Sequence, residues 1–227
     1  MGGLISVIIP ALNEEAAIGA TLDSVRTQDP PFEIIVVDGG SVDGTREIAA
    51  RKARVLESKP GRAHQMNTGG AAARGDILLF LHADTRLPPR ALGVVRSAVN
   101  RQGFEAGTFR LQFDLGVPLL RFYGFCTRLP VALLTFGDRG LFVRRDTFQQ
   151  VGGFPSQPIF EDLELARTLH ARGRFVFLRD CVTTSARRFR ENGVLRQQFR
   201  NAGLWLRYLM GVDPEELTPL YPYPLPR

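Results

Sequence analysis

Three largely apolar runs, Leu4–Ile9, Phe32–Val37 and Ile77–Leu81, organise the first part of the chain, and each stops at a polar cluster. They are too short for isolated helices, and their β-branched content reads as strands buried on both faces of a parallel sheet. Between the first two, Ile18, Leu22 and Val25 recur at helical spacing, and Asp29-Pro30-Pro31 ends that unit. A shorter run, Arg54–Glu57, adds a strand, and the small-residue stretch Gln65 to Arg74 reads as a helix that permits close packing. Pro10 closes the first strand, and Pro88-Pro89 prevents the third from continuing. Strand and helix alternate, which predicts an α/β fold around a mostly parallel central sheet. In such a sheet the ligand lies beyond the carboxyl ends of the strands.

Later in the chain the periodicity changes. Arg90–Val99 is helical, and Phe104–Leu115 alternates with Phe109, Leu111, Phe113 and Leu115 apolar, as in an antiparallel strand with one exposed face. Val117–Leu134 reads as one or two amphipathic helices bent at Pro130, Leu141–Val143 and Phe175–Leu178 as strands, and Glu161 onward as a helix. After the Asn192-Gly193 turn, Leu195, Phe199, Ala202, Leu206 and Leu209 form an apolar stripe at helical spacing. From Pro214 the Pro- and Tyr-rich tail is expected to be extended and docked. We expect one domain over 1–227: a nucleotide-binding half (1–115), an acceptor-side half (116–190), and a C-terminal helix with its tail (191–227).

Composition narrows the class. The 44% apolar content is that of a globular chain, and no window approaches the roughly 18 apolar residues of a membrane span. No signal peptide is visible, and Cys126 and Cys181 lack metal-type spacing, so they read as reduced core thiols of a cytoplasmic protein. The formal charge of +6 favours anionic partners. Arg196, Arg200 and Arg207 flank the C-terminal stripe, with Trp205 and Tyr208 as candidate interfacial anchors. Two placements stay open: the helix packs on the sheet with its arginines solvated, or it rests on an anionic membrane beside a lipid-linked acceptor.

The polar clusters carry the candidate chemistry. Asp84, at the end of the third strand, is a hard oxygen donor suited to Mg2+ or Mn2+, or else a turn former. Asp38-Gly39-Gly40-Ser41-Val42-Asp43-Gly44-Thr45 is neither a dinucleotide fingerprint nor a P-loop, since Ser41 and Thr45 stand where Gly and Lys are required. Asp38 there is placed to accept from a base or ribose, or to form a simple Asx turn. Asn13 is positioned to cap the first helix, Arg62 lies at a helix start where a diphosphate would sit, and Glu161-Asp162 opens a helix.

Taken together, VIIPALNEE (7–15), VVDGGSVDGT (36–45), GRAHQMNTG (61–69), GDILLFLHADT (75–85), FGDRGLFVRR (136–145) and FEDLELARTL (160–169) resemble the family 2 glycosyltransferases of the GT-A fold. The likeness is greatest to the small branch labelled selenodomain-associated transferases. It implies an inverting, metal-dependent transfer from a nucleoside-diphosphate sugar, UDP- or GDP-linked, to an acceptor hydroxyl. The acceptor is undefined, lipid-linked carriers included, and no nucleic-acid partner is implied. Position by position, it places Pro10, Asn13 and Glu14 at the base, Asp38 at the nucleoside, and Asp43 and Arg62 near ribose and diphosphate. It makes Asp84 the metal ligand for Mn2+ or Mg2+, and puts Asp138 in a loop facing sugar and acceptor. Asp162 becomes the catalytic base, with Glu161 beside it. His82 stands where the family has the first acid of its D-x-D motif, and Q-x-x-R-W has only a loose counterpart around Gln198 and Trp205. Two other readings compete with this one. A sugar-nucleotide nucleotidyltransferase is opposed by the acidic loop Ala11–Glu15, which would repel a triphosphate. A basic non-catalytic module binding membranes or polyanions would act independently of Asp84 and Asp162.

Overall fold

The computed structural model describes residues 3–129 and 137–220. An eight-stranded sheet in the order β3-β2-β1-β4-β7-β6-β8-β5 runs through it. The strands are β1 (Ile5–Ala11), β2 (Phe32–Asp38), β3 (Arg54–Glu57), β4 (Ile77–Phe80), β5 (Thr85–Arg86), β6 (Ala106–Phe113), β7 (Leu141–Arg144) and β8 (Phe175–Thr184). The first four strands in sequence pair parallel to one another. Beyond β4 the directions mix: β7 is antiparallel to β4 and β6, while β8 is parallel to β6 and antiparallel to β5. This mixed sheet between helices is the expected α/β fold.

Side-chain alternation divides the core into two layers. Ile5, Val7 and Ile9 point to one face, against Ile18, Leu22 and Val25 of α1 (Glu15–Arg26) and Leu92, Val95 and Val99 of α4 (Ala91–Asn100). Ile8, Ile35 and Val37 point to the other, against Ala63 and Met66 of α3 (Arg62–Ala72) and Leu165 and Leu169 of α7 (Glu161–Ala171). Each fully buried Ile or Leu contributes about 1.5–3 kcal/mol. The remaining helices are α2 (Thr45–Ala50), α5 (Pro118–Cys126), α6 (Arg145–Gln150), α8 (Arg187–Asn192), α9 (Val194–Leu209) and α10 (Pro214–Leu217).

The small residues of α3 let it approach the sheet closely. A Cβ on Gly69 would stand 2.4 Å from Cγ2 of Ile8 and 3.0 Å from Cγ2 of Val37. Gly69→Ala is therefore expected to lower unfolding free energy by about 1–3 kcal/mol, as overpacking does. A denaturant midpoint equal to wild type would show that α3 does not need this approach.

Several expectations are corrected. Pro10 does not end β1, which runs on to Ala11. The Ala11 carbonyl accepts from Gly39 N–H on the β2 side, so the Pro10 nitrogen faces the β4 side, where pairing has already stopped at Ile8. Asn13 does not cap α1, since Glu14 takes that position without a side-chain bond. The Phe104–Leu115 strand shortens to Ala106–Phe113 and lies mostly buried on both faces, because it runs between β7 and β8. The strand expected at Phe175–Leu178 continues to Thr184. Residues 214–220 are helical rather than extended, with Asp213 Oδ1 accepting from Glu215 N–H at 2.8 Å. Cys126 and Cys181 are free, as read, but half-buried rather than in the core. The bend at Pro130, the rest of that helical stretch and the last seven residues of the tail lie outside the described residues.

Candidate active site

The topology gathers distant residues at the carboxyl end of β4. The chain turns there, with Thr85 N–H donating to the His82 carbonyl, before pairing with Thr184 at the end of β8. Arg187 and Arg188 follow directly and so reach Asp84, whose charge both favour. β7 is antiparallel to β4, with Leu141 opposite Phe80, so the 3-10 turn Gly137–Arg139 just before it also lies at this end. Arg62, the first residue of α3, bonds Glu161, the first residue of α7, at 2.8 Å, which brings the start of α7 to the same place.

The acids in this cleft repel one another. Burial pushes Asp138 up to about 7, aided by the charges of Asp162 and Asp84. Burial also raises Asp84, with the Arg188 and Arg187 guanidiniums opposing it. Glu161 is raised by burial despite Arg62. Glu14 is raised by burial and by Asp84, and accepts from Arg187 at 2.9 and 3.1 Å. His82 is pushed the other way, to about 3, by burial and the nearby Arg62 and Arg188. It is a neutral imidazole, so the position carries no negative charge where the D-x-D motif of the family it resembles has an acid.

The neighbouring loops carry the remaining expected residues. Asp38 ends β2 and is almost wholly buried. Its Oδ2 accepts from Gly40 and Ser41 N–H at 3.0 Å, while Oδ1 has no partner among the described residues. That buried orphan oxygen fits an N–H or O–H donor of a nucleoside. Pro10 lies beside it in register, opposite Val37. Asn13 (φ 54°) donates its N–H to Ser41 Oγ and accepts from Val42 N–H, both at 2.9 Å, so it ties two loops together. Asp43 does the same for two helix starts, accepting from Glu15 and Thr45 N–H. Slight burial raises its carboxyl, but hydrogen bonds from the Thr45 hydroxyl and from these amides outweigh that and hold it below the usual range. The structure thus spends Asp43 on loop architecture.

Asp84 beside raised, mutually repelling carboxylates is a donor set that fits an oxygen-ligated divalent cation. Among the described residues no three His, Cys, Asp or Glu side chains form a complete cage, so a bound ligand would supply further oxygens. Neutral His82 does not compete by charge.

Sequence reasoning missed four residues. Arg187 and Arg188 come to the site only through the two-residue β5–β8 pairing. Tyr123 of α5 lies in the field of Asp138 and Asp162, and burial first, then those charges, push its hydroxyl far above the phenol range, leaving it a donor. Arg139, fully buried, donates to the Phe109 and Thr127 carbonyls at 3.0 and 2.8 Å and sits 5.4 Å over the Phe177 ring. It braces the Asp138 turn, and the adjacent glycines gave no sign of that.

A pH effect follows from Asp138. An acid whose folded pKa lies near 7 binds its proton more tightly folded than unfolded, so its contribution to stability falls as pH rises from about 4 to about 7. Asp138→Asn removes this loss. The variant's stability advantage over wild type is expected to grow across that window and level off above it, read from paired denaturation curves. A pH-independent difference would contradict the assignment.

The family model of glycosyl transferase family 2 matches residues 6–121. Glycosyltransferase AglE of Haloferax volcanii is 30% identical over 174 residues, covering 68% of this chain and 57% of that protein. The chain thus spans little more than half of that curated relative. Among solved structures, a mannosyltransferase from Pyrobaculum calidifontis in complex with GDP-Man and Mn2+ superposes with a TM-score of 0.70 at 21% identity, covering 97% of this chain and 68% of that one. Glucosyl-3-phosphoglycerate synthase from Mycobacterium tuberculosis, with Mn2+, UDP and glucosyl-3-phosphoglycerate, gives 0.59 at 24% identity, covering 79% and 71%. Both structures share the GT-A fold with this chain. With half of its length matched by the family model, the chain belongs to glycosyl transferase family 2.

Proposed function

We propose that this chain is an inverting, divalent-metal-dependent glycosyltransferase, moving a sugar from a nucleoside-diphosphate sugar to an acceptor hydroxyl. The observation that carries the reading is the shared field of Asp84, Asp138 and Asp162 at the carboxyl end of β4. Three acids held against one another cost stability unless a cation and a proton-bearing substrate relieve them. In this reading residues 1–115 hold the nucleotide, 116–190 face the acceptor, and 191–227 add the C-terminal helix and tail.

Asp38 accepts from the nucleoside through its orphan oxygen, with Pro10, Asn13 and Glu14 lining the same end. Asp84 would hold Mn2+ or Mg2+ against the diphosphate, and that ion, when bound, offsets charge on the departing nucleotide. Arg62 and Arg188 add positive charge on the same side. Asp162 takes the proton from the acceptor hydroxyl as it attacks the anomeric carbon from the face opposite the leaving group. A single displacement with no enzyme nucleophile inverts configuration. Glu161, bonded to Arg62, holds the starts of α3 and α7 together, and Asp138 faces the transferred sugar. The UDP and GDP-mannose in the similar structures support a UDP- or GDP-linked donor. Two unpaired cysteines fit a reducing cytoplasm.

A thermal-shift panel of nucleotide sugars, with and without Mn2+, tests this reading. Binding to the native state raises the melting temperature by mass action, so one donor should stand out and need the metal. No shift with any UDP- or GDP-sugar would remove the proposal.

A further inference from the structure

We propose that the outward face of α9 docks on an anionic lipid surface. The apolar stripe of this helix does not face the sheet. Phe199 is 77% exposed, Met210 just beyond the helix 68%, Leu195 65% and Leu206 54%, whereas the buried positions are Gln197 and Leu204. So much apolar area in one stripe on a solvent-facing helix marks an interaction surface.

The charge pattern selects the occupant. At about 100° per residue, Leu195, Phe199, Ala202, Leu206, Leu209 and Met210 share one face. Arg196, Arg200 and Arg207 then fall together in an arc of about 40° along one edge of it. Half-buried Trp205 lies towards the other edge. The helix contains no acidic residue, and the whole chain carries +6. Apolar centre, arginine flank and aromatic edge match a helix lying in a lipid interface, with guanidiniums reaching the headgroups. A second copy packed antiparallel through this face would bring the same arginine row against itself and repel.

The helix is held firmly at both ends, so the exposed stripe is presented by a fixed element. Val194 packs on the Leu120–Ala186–Phe189 cluster. At the other end Tyr208 stacks on Phe160 with ring centroids 4.6 Å apart, and Leu204 joins Ile159 and Leu217. α5, which shares the first cluster, leaves Phe122 and Phe125 exposed as well. No helix among the described residues is long and apolar enough to cross a membrane, so contact through this face is peripheral. Phe160 immediately precedes Glu161 and Asp162. Docking through α9 would therefore set the cleft beside a hydroxyl or phosphate borne on a lipid. That consequence rests on the proposed transfer reaction, whereas docking itself does not.

The test is co-sedimentation of the full chain, without donor, on vesicles of phosphatidylcholine alone or with about 30% phosphatidylglycerol added, the anionic surface supplying the attraction. Binding is expected only with the anionic vesicles and should weaken as salt rises. Replacing Arg196, Arg200 and Arg207 by Gln should weaken it by about 5-fold per residue, on the order of 100-fold in all. The double variant Phe199→Glu, Leu206→Glu should abolish it while keeping the wild-type melting temperature and donor-induced shift, since both side chains are exposed. Failure of the donor shift with vesicle binding intact would count against the catalytic reading alone. The docking proposal is overturned if wild type ignores anionic vesicles, if the double variant binds as well as wild type, or if wild type dimerises in solution through this face and the double variant does not.

Discussion

Asp162→Asn should lose turnover by about 10²–10⁴-fold, the usual cost of removing a positioned general base, while donor affinity stays at the wild-type value. Asp162 is the second residue of α7, almost buried, with Oδ1 accepting from Leu163 N–H at 2.7 Å. Consecutive helical residues diverge by about 100°, so Glu161 and Asp162 cannot serve one direction. Glu161 is turned to α3, where Arg62 holds it, and Asp162 lies in the field of Asp138 and Tyr123. Glu161→Gln should accordingly reduce turnover less. Kinetics at saturating donor, paired with donor titrations, separate the effects. Equal loss of donor binding and turnover in Asp162→Asn would make this acid part of the donor site, and retained turnover would remove it from the mechanism.

Asp84→Asn should abolish the metal-dependent part of donor binding and leave the fold intact. Losing even an outer-shell partner of a metal site costs about 10–100-fold in affinity, so loss of the ligand itself should weaken Mn2+-dependent binding by at least about 100-fold. The fold survives because Asp84 lies past the end of β4, outside the packed layers. Its carboxyl is raised by burial, so the neutral amide also relieves a charge that the apo protein carries at a cost near neutral pH. Calorimetric titration of donor with and without Mn2+ reads this directly. A variant that binds donor and Mn2+ like wild type would move the metal elsewhere.

Much of this site was legible because its acids stand where apolar runs stop. Asp38 follows Val37 directly and Asp84 stands three residues past Leu81, and a carboxylate at the end of a buried strand can point only to the rim of the sheet. Arg62 and Glu161 were legible as helix starts, but their pairing was not, since 99 residues separate them. In the sequence Arg187 and Arg188 only add to the net positive charge. Their place depends on β8 running to Thr184 and meeting a two-residue strand that no periodicity announces. Asn13 and Asp43 are bonded to neighbouring loops, which the sequence does not announce, because short polar side chains bond equally well to a ligand or to neighbouring amides. The stripe on α9 was visible as a pattern, yet spacing alone cannot say which way an amphipathic face turns. Burial of Gln197 and Leu204 on the opposite side does.

The most direct test of the central claim is a crystal structure of the full chain with Mn2+ and the nucleoside diphosphate chosen by the panel, read at the manganese anomalous edge. We predict one anomalous peak bonded to Asp84 and to diphosphate oxygens, with the nucleoside against Oδ1 of Asp38 and Asp162 facing the empty acceptor side. A peak held by other residues, or a nucleotide bound away from the carboxyl ends of β1, β2 and β4, would contradict it.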